Sequence, residues 1–237
     1  MEHDLQKAIL LKLIHNPSLS FNELWNKDGE SNKFAYHVNK MEADGLVAKN
    51  AEGKYALTTE GKKLSAFIEG DTGGKAEFPT LTIFQVVWRD DGRILCQKRL
   101  KEPFYGMWGF VSGKQNFGWN IIECAKRDLK EETGLDADDY AIRGIEQVKS
   151  YDNSKLLYHH FLIAVETHNP KGELKAKTHK AEHVWLTPEE YKAMPKFPET
   201  WPLNDLFYNK KFQVIEGERY LENGKITGSK LVSRKEF

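Results

Sequence analysis

Cysteine is almost missing from these 237 residues: Cys96 and Cys124 are the only two. That number excludes a disulfide framework and a four-thiolate metal site, and it fits a reducing compartment. Long hydrophobic runs are missing too. No stretch of eighteen apolar residues occurs, and Lys7 and Lys12 interrupt the opening MEHDLQKAILLKLIHN, so neither a membrane-spanning helix nor a signal peptide is expected. Net charge is absent as well, with 35 basic residues against 35 acidic ones, so no global field favours a polyanion or a membrane surface. The first 70 residues contain no arginine, and their nine lysines face ten acids. What remains is the profile of a soluble, cytoplasmic protein with no membrane partner, long enough for one or two domains with real cores.

The first 70 residues read as mostly helical. Leu5, Ile9, Leu10 and Leu13 recur at helical spacing until Pro17. Ser20 and Glu23 have capping-box spacing and open a short helix through Trp25. A third helix is expected from Ser31 to Ala43, with Phe34, Val38 and Met41 inward, followed by two short strands around Glu52 and Gly53 and a last helix after Thr59. This order, and above all NKMEADGLVAKN followed by YALTTEG, resembles the winged helix domains of transcription regulators. The resemblance implies that Ser31, Asn32, Lys33, Tyr36, His37 and Lys40 read the major groove of double-stranded DNA while Lys54 of the wing meets the backbone. The slightly negative charge and the missing arginine leave a dimerisation or partner-binding module as the alternative.

Gly- and charge-rich EGDTGGKAEFP separates this part from the rest, giving expected boundaries at 1–70 for the winged helix domain and 71–79 for a linker. TLTIFQVVWR and RILCQKR read as strands paired across the turn at Asp90, Asp91 and Gly92. Further strands are expected at AIRGIEQVKSY, KLLYHHFLIAVETH and HVWL, and a short helix at TPEEYKAM capped by Thr187. His159 and His160 alternate faces of their strand, which argues against a joint zinc site. Residues 206–237 form a C-terminal extension with a hairpin signal in ENGK; it extends the sheet, contacts the first domain or forms a basic tail.

In NIIECAKRDLKEETG, Asn120 and Glu123 have capping-box spacing, and Ile122, Ala125 and Leu129 make an apolar stripe. Asp128 and Glu132 lie one turn apart on one face with Glu131 adjacent. Such a cluster repels itself unless a hard cation or an ordinary wet helix face accommodates it. Upstream, MWGFVSGK leads a strand into Gly113. From there the chain resembles the Nudix hydrolases: Gly113, Arg127, Leu129, Gly134 and Leu135 hold the glycine, arginine and hydrophobic positions of their 23-residue signature, with Asp128, Glu131 and Glu132 among its acids.

The resemblance implies a mixed-sheet α/β/α sandwich over residues 80–205. It also implies magnesium or manganese held by Asp128 and Glu132, with the Gly113 carbonyl and Glu131 as additional ligands. Glu131 is the alternative proton acceptor, and Arg127 orients a carboxylate. Two departures matter. Trp119 stands where the family has a glutamate and can neither ligate nor take a proton, and Asp128 replaces a longer glutamate. Outside the signature, Arg99 is a candidate for phosphate, Phe104, Tyr105 and Trp119 for stacking on a base, and Glu182 for an extra metal ligand. The implied function is magnesium-dependent hydrolysis of a nucleoside diphosphate derivative, a nucleotide or nucleotide sugar. The alternative is a non-catalytic or weakly catalytic regulator that senses such a metabolite and binds DNA; a homodimer fits either.

Overall fold

The computed structural model describes residues 4–68 and 77–237. The linker expected at 71–79 lies mostly outside those residues. The chain divides into two compact units, Met1–Glu77 and Phe78–Phe237.

In the first unit, helices α1 (Asp4–His15), α2 (Phe21–Trp25) and α3 (Ser31–Ala43) precede strands β1 (Val47–Lys49) and β2 (Tyr55–Leu57) and helix α4 (Thr59–Ser65). Local chemistry sets the ends: Ser20 and Glu23 close a capping box on α2, and Thr58 caps α4. Ile9, Leu10 and Leu13 of α1 pack on Phe34, Val38 and Met41 of α3, with Leu24, Val47 and Tyr55 completing the core. Each such side chain contributes about 1.5–3 kcal/mol on burial. One expectation needs correcting. His37 shares the stripe of Phe34, Val38 and Met41, so it is turned inward and only 7% exposed rather than presented on the outer face with Lys33 and Lys40. Lys33 and Lys40 are exposed on α3, and Lys54 is paired with Glu52 at 3.3 Å.

The second unit runs β3 (Thr80–Val87), β4 (Ile94–Arg99), β5 (Trp108–Gly109), β6 (Val111–Lys114), α5 (Ile121–Thr133), β7 (Asp139–Asp152), β8 (Lys155–His168) and β9 (Ala181–Leu186). It ends with α6 (Pro188–Lys192), α7 (Leu203–Tyr208), β10 (Gln213–Glu222) and β11 (Lys225–Glu236). A six-stranded sheet has the order β11-β10-β7-β8-β3-β6, and a three-stranded sheet the order β5-β4-β9. The large sheet is mixed, because β10 is parallel to β7 and β8 to β3. On one face lies α5, whose Cys124 and Ala125 pack on Ile83, Ile163 and Val165, and Gln85 Nε2 donates 2.9 Å to the Ala125 carbonyl. On the other face, Ile94, Cys96, Tyr191, Trp201 and Phe207 meet Val86, Ala164 and Ile215. A small α+β part followed by a mixed-sheet α/β/α sandwich is the architecture expected.

The hairpin expected between β3 and β4 is corrected. The turn forms, with Gly92 N–H donating 3.0 Å to Arg89, but pairing ends at the Trp88–Ile94 bridge. Beyond it the strands enter different sheets: β3 is taken up on both edges by β6 and β8, and β4 by β5 and β9. Splaying lets β4 cover the apolar face of β3 instead of lying beside it, which buries Ile94, Leu95 and Cys96 completely. At the C-terminus, ENGK turns as expected through Asn223 (φ 51°) and Gly224 (φ 76°), and β10 extends the sheet alongside β7.

Candidate functional site

Between the large sheet and the segment 196–203 lies a cavity of about 630 Å³, a volume suited to a small molecule. Its floor is one face of the sheet: Ser112 and Lys114 of β6, Thr80, Thr82 and Phe84 of β3, Tyr158, His160 and Leu162 of β8, Glu146 of β7 and Arg219 of β10. These residues alternate along each strand, as side chains on a single face must. Arg99, Lys101, Phe104, Gly113 and Glu132 also line it. Burial pushes the Glu132 carboxyl up, opposed by Lys101, Lys180 and Arg99, while burial lowers Arg99. This end of the cavity therefore gathers cations around one half-buried acid.

Behind β6, the acids of α5 are arranged differently. Asn120 and Glu123 cap the helix reciprocally, with bonds of 2.9 and 2.8 Å, and Gly134 ends it in the left-handed conformation at φ 79°. Asp128 is 6% exposed. Its Oδ1 accepts from Arg127 Nε at 3.0 Å and Nη2 at 2.6 Å, and Nη2 also donates 3.2 Å to the Lys114 carbonyl. Its Oδ2 is buried without a partner and packs on Gly113, where any Cβ would collide with the carboxylate. Burial pushes this carboxyl up, opposed by Arg127 and reinforced by Glu131. Trp119, 46% exposed, lies under the Arg127 guanidinium, 5.6 Å from ring centre to carbon. Tryptophan, arginine and aspartate thus form a stack that closes on itself.

Of the expected site residues, the cavity brings together Arg99, Phe104, Gly113 and Glu132. Asp128, Glu131, Arg127 and Trp119 are not among its lining residues, and Glu131 is exposed. Tyr105 is 61% exposed and also stands apart from it. Glu182 is bonded to Lys177 at 2.7 Å, which holds its carboxyl below the usual range. His160 lines the cavity while His159 pairs with Gln147. Sequence reasoning passed over Glu146 and Arg219. The available signal was a charge in the inward phase of a strand: Glu146 alternates with Val148 and Ser150, and Arg219 with Ile215 and Leu221.

A model of the NUDIX domain matches residues 79–207. The chain belongs to the Nudix family. It is 27% identical over 124 residues to the CTP pyrophosphohydrolase of Escherichia coli K12, covering 52% of this chain and 86% of that protein. The crystal structure of a MutT protein from Bacillus halodurans superposes with a TM-score of 0.54 at 19% identity, covering 66% of this chain and 97% of that one, a likeness of fold. A MutT Nudix hydrolase from Burkholderia pseudomallei has a TM-score of 0.45 at 23% identity, covering 51% and 92%. Nudix proteins generically hydrolyse nucleoside diphosphate derivatives, and membership implies a divalent cation.

The donors as arranged do not fit that cation. One oxygen of Asp128 is held by Arg127, and the other is buried beside Gly113 without a partner. Trp119 supplies no donor, and among the described residues no three His, Cys, Asp or Glu side chains are grouped to hold an ion. Glu132 is the one acid of α5 that lines the cavity.

Proposed function

We propose that this Nudix protein binds a nucleoside diphosphate derivative, a nucleotide or a nucleotide sugar, in the cavity, and that hydrolysis there is weak or lost. The observation that carries the reading is Trp119, which offers no carboxylate at the signature's early acid position and stacks under Arg127, while Arg127 and Asp128 bond to each other and neither lines the cavity. Phosphates fit the end where Arg99, Lys101 and Lys114 supply positive charge, and Phe84, Phe104 and Tyr158 supply apolar faces for the remainder. The chain's own residues bind and orient the ligand and keep water out, with Glu132 balancing the cations when the pocket is empty.

Calorimetric titration of the full chain with nucleoside diphosphates tests the binding. Saturable binding that weakens at least tenfold in Lys101→Ala supports the reading, and no binding by any of them sinks it. Magnesium-dependent pyrophosphohydrolysis is the competing reading, supported by retention of Glu131 and Glu132 and by the family's activity.

A sensing role for the whole chain has support of its own in α3, which exposes Lys33, Lys40 and a Tyr36 that is 63% accessible. In this role the first unit contacts duplex DNA and the bound metabolite alters that contact. Gel-shift titration at low salt with and without a bound nucleotide checks it; affinity insensitive to salt, or absent, counts against it.

A further inference from the structure

One residue of the cavity's inner wall, Arg219, comes from outside the region that matches the family model. The match ends at residue 207, whereas Arg219 sits on β10. The parallel register sets Arg219 opposite Ser150 and Ile215 opposite Glu146, so Arg219 and Glu146 belong to one face of neighbouring strands. Gly217, between them in phase, makes room for Thr200: a Cβ there would collide with the Thr200 side chain. Arg219 Nη2 approaches the Thr200 hydroxyl at a long 3.5 Å, and the guanidinium lies 5.4 Å from the Phe197 ring centre.

The polar atoms of this wall are unfinished. Glu146 is 3% exposed, and its Oε1 has no hydrogen-bond partner. Arg219 Nε is likewise buried and unpaired, as is Gln97 Oε1, and all three residues line the same cavity. Glu146 and Arg219 feel each other's charge, yet no ion pair within 4.0 Å joins them, although each would gain from one. Buried polar groups in folded proteins are almost always satisfied, so a set of orphans converging on one cavity points to a ligand that supplies the partners. Its shape is set by the aromatic surroundings, Phe84, Phe110 and Trp201, which favour a flat ring. Its edge is set by the orphans, an acceptor on Glu146 and donors on Arg219. Glu146 lies three strand spacings from Lys114, about 14 Å at about 4.8 Å each, so base-reading and phosphate-holding groups are spread across one sheet face.

We propose that Arg219 of the C-terminal hairpin, with Glu146 of β7, makes this cavity selective for a nucleobase whose amino group and carbonyl flank one ring nitrogen, guanine or cytosine, with Glu146 accepting from the amino group and Arg219 donating to the carbonyl. Arginine matches the carbonyl edge of guanine, and a carboxylate accepts from the amino group of cytosine, by the same donor–acceptor logic that reads bases elsewhere. Uracil lacks the exocyclic amine, and adenine lacks the carbonyl.

The inference rests on a nucleotide derivative occupying the cavity, and the test separates the two claims. The full chain is titrated with GDP, CDP, ADP and UDP, as wild type and as Glu146→Gln and Arg219→Lys, with thermal melts to show that each variant is folded. The expected result is GDP or CDP binding at least about tenfold tighter than ADP and UDP, a margin that shrinks to within about threefold in Glu146→Gln. Arg219→Lys, which keeps the charge but loses the planar fork, should narrow it as well. Equal binding of all four to the wild type, or an unchanged margin in both folded variants, overturns the selectivity while leaving the cavity a nucleotide site. If none of the four binds, the reading of the cavity falls and this inference with it.

Discussion

The two ends of the sheet handle buried charge in opposite ways. Beside β6, Asp128 is answered by Arg127, Arg127 by Trp119, and the Asp128 oxygen left over is buried beside Gly113 without a partner. Beside β10, Glu146 and Arg219 line one cavity without bridging, and each keeps a buried atom unpaired. Both ends keep buried atoms without partners, but the one on Asp128 packs beside Gly113 while those on Glu146 and Arg219 belong to residues that line the cavity. Most signature residues gather beside β6, with Gly113 and Glu132 reaching the cavity, while the β10 end is completed by Arg219, beyond the family match. The family match covers every lining residue of the cavity except Arg219.

Substitutions at matched positions would break this contrast if it is wrong. Arg127→Ala leaves a buried carboxylate unanswered and should cost about 3–5 kcal/mol in denaturant unfolding. Arg219→Gln removes a cation that has no ion-pair partner and should cost clearly less, while weakening nucleotide binding. Equal losses of stability would erase the distinction. Gly113→Ala drives a methyl group into the Asp128 carboxylate and should cost about 1–3 kcal/mol. Gly217→Ala meets the Thr200 β-carbon instead, so it should cost stability on a similar scale and, unlike Gly113→Ala, also weaken base preference.

pH sharpens the comparison further. Burial raises the Glu146 carboxyl above the usual range. A raised folded pKa means that its contribution is intact below the unfolded value and is lost as pH rises through the folded one. Glu146→Gln should therefore be more stable than wild type at neutral pH and no better in acid. Glu166 is the control of opposite sign. Its burial is outweighed by bonds from Lys210, His168 and Arg143, so its carboxyl is held low. Its contribution is present above the unfolded value and disappears as pH falls through the folded one, and Glu166→Gln should flatten the acid side of a stability profile. The smallest effect is expected from Trp119→Ala, about 0.5–1 kcal/mol for one partly exposed cation–π contact, with nucleotide binding unchanged.

Features governed by near neighbours were legible in the sequence. Asn120–Glu123, Ser20–Glu23 and Thr187–Glu190 all form the capping boxes their spacing announced, and Asn223–Gly224 makes its hairpin turn. The core stripe of α3 was legible in Phe34, Val38 and Met41, yet His37 was misplaced because its residue type suggested a reader while its phase placed it inside. Long-range pairing was not legible. Nothing local to Trp88 or Ile94 tells that the chain changes sheets there, and nothing in the tail tells that β10 will lie parallel to β7. The cavity suffers most from this, since Glu146, Thr200 and Arg219 meet only after that pairing is made. The acids of α5 were found by register, but a register cannot say which of them turns toward the cavity and which toward Arg127.

Phosphate release by the full chain, measured across a panel of nucleoside diphosphate derivatives with and without magnesium, tests the central claim most directly. The account predicts binding without appreciable turnover, and no release that depends on both magnesium and Glu132. Multiple turnovers that require magnesium and vanish in a folded Glu132→Gln variant would contradict it.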